Sequence, residues 1–568
     1  MTRPDPSRKY AFAPKVSGLV AFLLGLVDLS VIFAPKTHEF LNGHLDQVPG
    51  VAGNAAVLST VFRGVILVLL ADGLVRRKFR AWLFVVATLI LTIVGALVVP
   101  AWSEQGVNTT RVTSAVLLAF LITFRKQFYA LPDSRSAIRV LRIFFQSSVI
   151  ALLGALVICS VRLHTLHLPL TFSSFYHNAI PALFGFETHI SSGPGRIADL
   201  TYYALLGLGM AVVFPTIATF LAAPKPEPKL SPADDYEIRQ LLATHGQRDS
   251  LGYFALRRDK SVVWSESRKA CITYRVTLGV MLASGDPLGD PEAWPGAIEV
   301  FLETARQHGW HPAVAGASYT GAQVWSREAD LHTLEIGDEA ILQVSEFSLD
   351  GRIMRNVRQM VNRTYRLGYT ATMTRASALT PKEIKELQIA ADKWRNGHVE
   401  RGYSMALGRI GEPQDGQTVI VRAYKDEKLM AFLSFVPWGS NSMSLDFMRR
   451  SPECDPGLNE LLICSAMESA PELGIEKVSL NFAAFRGMLE RGERVGAAPL
   501  SRFNRNFIVF VSRWIQIESL YRFNDKFQPT WEPRYILYNG GREFLRAGLA
   551  YLEAEGFLKF SLKSRKKV

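Results

Sequence analysis

The chain has 568 residues, of which 48% are apolar and 20% charged, so it is too long for one ordinary domain and too apolar for a disordered one. Its formal net charge of +13 and pI near 9.5 point to a polyanionic partner, either nucleic acid or anionic lipid. The four cysteines, Cys159, Cys271, Cys454 and Cys464, show no CxxC spacing, which argues against a zinc site or a disulfide framework and predicts reduced thiols and no bound metal.

A bilayer span needs about 20 mostly apolar residues. Five segments qualify in chain order: Val16 to Phe33, Val51 to Val75, Ala81 to Val99, Ile143 to Val161 and Leu200 to Ala222. A sixth, Val112 to Phe124, lies between Arg111 and Arg125 and must borrow upstream polar residues such as Asn108 and Thr109 to cross. The first segment lacks a small-residue cleavage site and is followed by further spans, so it reads as a retained anchor. The expected architecture is a bundle of about six transmembrane helices over residues 1–223.

Lysine and arginine concentrate in cytoplasmic loops. Arg3, Arg8, Lys9 and Lys15 precede the first span, Arg76, Arg77, Lys78 and Arg80 follow the second, and Arg125, Lys126, Arg135, Arg139 and Arg142 follow the fourth. Six spans then put both termini, and everything after residue 225, in the cytosol. Asp28 and Arg63 lie inside apolar spans, where ionisable groups suggest either function or a structural pair. The aromatic stretch Phe172 to Phe186 reads as interfacial or re-entrant.

A proline-rich linker, 224–232, separates this half from a soluble one. Beyond it, strand-like runs (Cys271 to Val276, Val419 to Tyr424, Met430 to Val436) alternate with helical patterns (Ala297 to His308, Asn459 to Leu473), which predicts an α/β fold. Thr380-Pro-Lys-Glu383 is a capping box that opens a further helix. Between these lies a helix predicted over Ser348 to Leu367. At 100° per residue it places Arg352, Arg355, Arg363 and Arg366 on one face and Ile353, Met354, Val357, Met360 and Val361 on the other. Such a stripe is either a solvated surface or a phosphate-facing one, and five arginines with no acid after Asp350 favour phosphate.

The run Ser442-Met-Ser-Leu-Asp-Phe-Met-Arg-Arg450 begins as a strand and leads through a loop into a helix N-terminus, a usual place for an anionic ligand. Asp446 is suited to accept a proton or hold an ammonium, and Arg449 to hold a phosphate or carboxylate. Strict alternation puts the two on opposite faces, so a shared site requires the strand to bend near Met448. The alternative is a structural salt bridge between them.

Several ordered motifs then resemble those of the aminoacyl-phosphatidylglycerol synthases, also called multiple peptide resistance factors. They are Leu251-Gly-Tyr-Phe-Ala-Leu-Arg-Arg-Asp-Lys260, Ser284-Gly-Asp-Pro287, Ile336-Gly-Asp-Glu-Ala340, Phe347-Ser-Leu-Asp-Gly351, Leu445-Asp-Phe-Met-Arg-Arg450 and Tyr521-Arg-Phe-Asn-Asp-Lys-Phe-Gln-Pro-Thr-Trp-Glu-Pro-Arg-Tyr535. The resemblance implies two tandem acetyltransferase-like (GNAT) folds, over 233–376 and 377–568, the second catalytic and ending in a basic tail. It implies transfer of an aminoacyl group, lysyl or alanyl, from aminoacyl-tRNA to the hydroxyl of phosphatidylglycerol. The implied functional residues are Asp446, Arg449 and Lys526, with Arg352, Arg355, Arg363, Arg366, Arg450 and Arg534 expected to bind substrate. Asn524 stands where the family usually has a basic residue.

The implied partners are aminoacyl-tRNA, anionic phospholipid in the plasma membrane of a bacterium, and a separate aminoacyl-tRNA synthetase. No cofactor is expected, because one ester is exchanged for another and no P-loop is visible. The competing classes are transfer from acyl-coenzyme A to a membrane amine, and a lipid flippase with a cytosolic regulatory domain. The first expects a glycine-rich loop whose amides hold a pyrophosphate, which Ser451 to Gly457, with two acids and two prolines, suits poorly.

Overall fold

The computed structural model describes residues 12–30, 50–98, 105–130, 136–169, 171–183, 188, 190, 196–221, 229–395, 402–484, 517–540 and 543–557. The linker up to residue 228 and the basic tail from 558 lie outside them. The chain forms two compact units divided near residue 225.

In the first unit the described helices are α1 (Phe12–Ser30), α2 (Gly50–Val75), α3 (Phe79–Val98), α4 (Gln105–Thr123), α5 (Ser136–Thr165), α6 (Phe172–Leu183) and α7 (Arg196–Leu221). All except α6 overlie the expected spans, and α4 reaches upstream to Gln105 through the polar residues that the short sixth segment had to borrow. Among the described residues, the helical stretches Phe12–Leu29, Val140–Thr165 and Leu200–Ile217 are long and apolar enough to cross a membrane, while Phe79–Val94 and Val112–Thr123 are shorter apolar helices. Leu91, Phe145 and Leu200 point outward with 71–73% exposure, an exterior that suits lipid and not water.

The α1 and α2 backbones nearly touch. A Cβ on Gly25 would stand 2.8 Å from the Gly64 carbonyl oxygen, and one on Gly18 would stand 2.8 Å from that of Ala71. Arg63 donates to Asp28 through Nε at 2.8 Å and Nη2 at 2.5 Å. Each charge therefore has its counter-ion in a bidentate pair, the arrangement that makes such groups tolerable in an apolar bundle. Of the two readings of Asp28 and Arg63, the geometry is that of the structural pair.

The second unit opens with α8 (Pro232–His245), capped by Ser231. Then follow β1 (Ser261–Trp264), β2 (Ala270–Thr277), β3 (Val280–Ser284), β4 (Leu288–Gly289), α9 (Trp294–His308), β5 (His311–Ala317), α10 (Tyr319–Ala329) and β6 (His332–Gln343). Next come α11 (Arg355–Arg366), β7 (Tyr369–Arg375), α12 (Pro381–Arg395), β8 (Val419–Lys425), β9 (Lys428–Trp438), β10 (Ser442–Arg450), α13 (Leu458–Ser469) and β11 (Lys477–Ala484), and finally α14 (Ile517–Asp525), β12 (Thr530–Tyr538) and α15 (Phe544–Ala554). The helix expected from Ser348 starts only at Arg355. Before it, Ser348 Oγ accepts from the Asp350 amide at 3.0 Å and Gly351 takes φ +82°, which makes a turn.

One sheet joins the strands in the order β1-β2-β3-β5-β12-β6-β11-β10-β9-β8-β7, with β4 beside β2. It repeats a single plan. The hairpin β2–β3, α9 and the parallel strand β5 form one copy, and the hairpin β9–β10, α13 and the parallel strand β11 form the other. Each copy sends its last strand across: β6 pairs with β11, β12 pairs with β5, and β6 and β12 meet antiparallel in the middle. Residues 530–554 belong by sequence to the second fold, 377–568, yet Ile536, Ala550 and Tyr551 share a core with Leu251, Val280 and Leu282. The division at residue 377 separates stretches of chain, not hydrophobic cores.

Candidate functional site: an opening between two parallel strands

Parallel strands β10 and β11 are paired only from Ser442↔Lys477 to Ser444↔Ser479. Beyond that pair both strands are bulged, β10 between Leu445 and Phe447 and β11 between Ser479 and Phe482, and they separate. Leu445 packs in the core that holds α11 and α13 residues, whereas Phe447 packs in the core beneath α12. In an unbroken strand residues two apart share a face, so the bulge at Asp446 has turned the strand. The bend expected near Met448 lies at Asp446 itself. It puts Arg449, whose guanidinium lies 4.7 Å from the Phe447 ring centroid, on the α12 side. Asp446 faces the loop that carries Ile410 into the same core.

Asp446 is buried, and its Oδ1 accepts hydrogen bonds from the Leu407 amide at 2.7 Å and the Gly408 amide at 3.2 Å. Asn481, on β11 opposite, holds a left-handed φ of +68°. Its Nδ2 donates to the carbonyl oxygens of Leu445 at 3.0 Å and Met405 at 2.8 Å. Arg450 ends the strand exposed. Lys526, placed by α14, donates to Glu460 in the first turn of α13 at 2.9 Å and is 43% exposed.

Helix α11 lies beside the α13 N-terminus, where a Cβ on Gly457 would come 3.1 Å from Met360 Cε. Met354, Val357, Val361 and Thr364 are buried, and Arg352, Arg355, Arg363 and Arg366 are exposed. Between those arginines the outward face carries Asn356, Gln359 and Asn362, so it offers cations and amides and no acid. Arg358 instead folds back onto the Leu349 carbonyl oxygen.

Arg534 requires a correction. Expected to bind substrate, it is 3% exposed and donates to Asp249 Oδ1 at 2.7 Å, Ser250 Oγ at 2.6 Å and Glu339 Oε2 at 2.8 Å. Its donors are committed to buried carboxylates, which is the condition for burying a guanidinium at all. Glu339 Oε1 in turn accepts from Ser250 Oγ at 2.5 Å and from Ser479 Oγ, and Ser444 Oγ donates to the Ser250 carbonyl oxygen at 2.7 Å. The hydroxyls of Ser444 and Ser479, the last strand-paired residues before the opening, are thus tied to one buried ion pair.

In the loop before α13 the Glu453 amide donates to Ser451 Oγ at 3.2 Å, the Cys454 amide to the Ser451 carbonyl oxygen at 3.2 Å, and the Asp455 amide to Tyr369 Oη at 3.1 Å. These amides are engaged by the protein itself, and the Asp455 carboxylate is paired with Lys425 at 3.2 Å.

In the other copy of the plan, Ser284-Gly-Asp286 stands where Ser444-Leu-Asp446 stands in this one. Asp286 accepts from the Ser318 amide at 2.9 Å and from Ser318 Oγ at 2.5 Å, and burial together with nearby Asp249 pushes its pKa up to about 7. Lys260 donates to Ser284 Oγ at 2.7 Å. Burial first, then the neighbouring Arg257, pulls the Lys260 pKa down to about 7. Sequence reasoning passed over Asn481, Glu339 and Ser479. A lone asparagine or serine carries no signal, and the Ser-x-Asp triplet, which occurs at 284–286, 348–350 and 444–446, marks equivalent positions only where it ends a parallel strand pair.

The strand plan is that of an acetyltransferase-like fold attached to an apolar helical unit. Residues 239–538 match the family of phosphatidylglycerol lysyltransferase C-terminal domains, and the chain belongs to that family. It is 41% identical over 96% of its length to the lysylphosphatidylglycerol biosynthesis bifunctional protein LysX of Rhodococcus opacus, and 37% identical over 99% to that of Mycobacterium avium. The chain spans about half the length of these relatives, 49% and 48%. The solved L-PGS structure from Bacillus licheniformis shares the fold with a TM-score of 0.50 at 20% identity, covering 58% of this chain and 97% of that one.

Proposed function

We propose that the chain transfers an aminoacyl group, lysyl or alanyl, from aminoacyl-tRNA to a hydroxyl of phosphatidylglycerol on the cytosolic side of the plasma membrane, lowering the membrane's negative charge. In this reading the first unit crosses the bilayer six times. What carries it is a buried carboxylate, Asp446, at the opening between two parallel strands in a chain of this family. The lipid hydroxyl oxygen attacks the ester carbonyl carbon, the bond to the tRNA ribose oxygen breaks, and the hydroxyl proton ends on that oxygen. One ester replaces another, so positioning and oxyanion stabilisation are the tasks left to the protein.

Asp446 accepts the proton or anchors the α-ammonium of the aminoacyl group. Arg449, Arg450 and Lys526 hold the lipid phosphate and the tRNA terminus, and the exposed arginines Arg352, Arg355, Arg363 and Arg366 meet tRNA phosphates. The reaction consumes charged tRNA, so an aminoacyl-tRNA synthetase must supply it. Transfer from acyl-coenzyme A is disfavoured because the amides of residues 453–455, where a pyrophosphate would sit, are taken by the chain's own oxygens.

Membranes containing the chain, incubated with total charged tRNA and single radiolabelled amino acids, are expected to yield labelled phosphatidylglycerol in a ribonuclease-sensitive reaction. Product from a coenzyme A thioester without tRNA would overturn the reading. Replacing Arg355 and Arg363 together with Gln is expected to raise KM for tRNA and lower its salt slope by about two, roughly one for each phosphate left without its arginine, with lipid KM unchanged. Equal losses for both substrates would make α11 structural.

A further inference from the structure

We infer that Asn481 is a positioning residue for Asp446, an inference that rests on the transfer reading of the site. One carboxamide closes a ring of hydrogen bonds around the carboxylate. Its two N–H groups go to Leu445, the residue immediately before Asp446, and to Met405, two residues before the Leu407 amide that binds Asp446. The loop and the strand that define the carboxylate's position are therefore both fastened to Asn481, from the opposite side of the strand opening.

The backbone supports the same assignment. Asn481 sits in the β11 bulge with φ +68°, a left-handed conformation in which asparagine is several-fold enriched among non-glycine residues and which in a strand marks a specialised position. Its own amide donates to Ser479 Oγ at 3.0 Å, and Ser479 Oγ donates to Glu339. The strained residue is thereby anchored to the Glu339–Arg534 pair behind the opening. Leu445 and Met405 offer carbonyl oxygens, so only a side chain that donates twice fits. Asparagine does, whereas aspartate presents acceptors to acceptors.

The test uses the full-length protein in membranes. Asn481→Gly keeps access to the left-handed conformation and removes the carboxamide. It is expected to lower kcat about 10- to 100-fold, the range seen when a group that supports a reacting residue is removed, with KM for tRNA and lipid within about twofold of wild type. Asn481→Asp is expected to lose at least as much. In the double variant with Asp446→Asn the losses are expected not to multiply, because one residue acts through the other. Multiplying losses would overturn the inference.

Hydrogen exchange decides independently of turnover. The Leu407 and Gly408 amides are expected to exchange at least about tenfold faster in Asn481→Gly, while β8 and β9 keep their protection. Unchanged rates at both amides, or protection lost throughout β8 and β9, would overturn the positioning role. A wild-type protein that forms no aminoacylated lipid would sink the transfer reading alone, leaving the exchange result to judge Asn481.

Discussion

The two copies of the strand plan end their parallel pair with the same triplet, Ser-x-Asp, and treat it in opposite ways. In the first, β3 and β5 stay in register through Ser284↔Ala315, and the Gly285 amide still donates to the Ala315 carbonyl oxygen at 2.8 Å. Asp286 then turns onto Ser318 at the head of α10. The space is closed tightly enough that a Cβ on Gly321 would lie 1.8 Å from Asp286 Oδ1. In the second copy two facing bulges part the strands, and Asp446 is held by the amides of a crossing loop at the opening. The same carboxylate is sealed by its own half in one place and set at an opening in the other. Separation of the strands, and not the presence of an aspartate, distinguishes a candidate reaction centre from a buried core carboxylate.

The comparison breaks most directly at the two aspartates. Asp446→Asn keeps size and removes charge, so kcat/KM is expected to fall on the order of 10² to 10⁴, with an unchanged melting temperature. Asp286→Asn should leave kcat near wild type and act on stability. A turnover-dead, fully stable Asp286→Asn protein would show that the first copy is also catalytic.

The next effect falls where the copies join. Arg534→Met leaves Asp249 and Glu339 buried without their counter-ion, and a broken buried pair costs about 3–5 kcal/mol. The melting temperature of the second unit should drop accordingly. If instead only tRNA or lipid KM rises while stability holds, Arg534 binds substrate after all.

A further effect is a pH dependence that the first copy contributes through Lys260 and Asp286. Lys260 has its pKa lowered from 10.5 to about 7 by burial and by Arg257 and Arg275, against Asp259 and Glu555. The unfolded chain therefore binds more protons between those values, and stability should rise with pH from about 7 to 10.5, by at most about 1.4 kcal/mol per unit. Asp286 acts in the opposite sense. Its pKa is raised from 3.8 to about 7, so the folded state binds more protons and stability falls as pH climbs through that window. Melting curves of Lys260→Met should lose the alkaline rise. A rise that survives the substitution would assign it to another group.

Local features were legible because local chemistry produces them. The capping box forms, with the Thr380 amide donating to Glu383 at 2.8 Å and the Glu383 amide to Thr380 Oγ1 at 3.3 Å. The strand-like runs at 271–276, 419–424 and 430–436 lie inside β2, β8 and β9, and Arg355, Arg363 and Arg366 emerge from a helix that buries Val357 and Val361, whereas Ile353, expected on the apolar face, lies in the turn before the helix and is 70% exposed. The crossing of β6 and β12 was not legible, because periodicity says which face of a strand is buried but not which distant strand it joins. Arg534 was misassigned for that reason: an arginine in a motif looks ready for an anion until the partners it meets, Asp249 and Glu339, are brought to it from 285 and 195 residues away. The opening at Asp446 depends on two bulges, which single residues such as Leu445 or Asn481 do not announce.

The exchanged strands also set a timetable for synthesis. Until residues 530–538 have left the ribosome, β5 lacks one hydrogen-bonded neighbour, and the core around Val280 and Leu282 lacks the residues of α15. More than 200 residues separate β5 from that partner, from Ala317 to Thr530. The nascent first copy therefore waits with an open strand edge beside an exposed apolar surface, a state prone to wrong pairing. Truncation anywhere between the two copies would make that waiting state permanent, so a shortened chain of this kind should be recovered as aggregate or not at all.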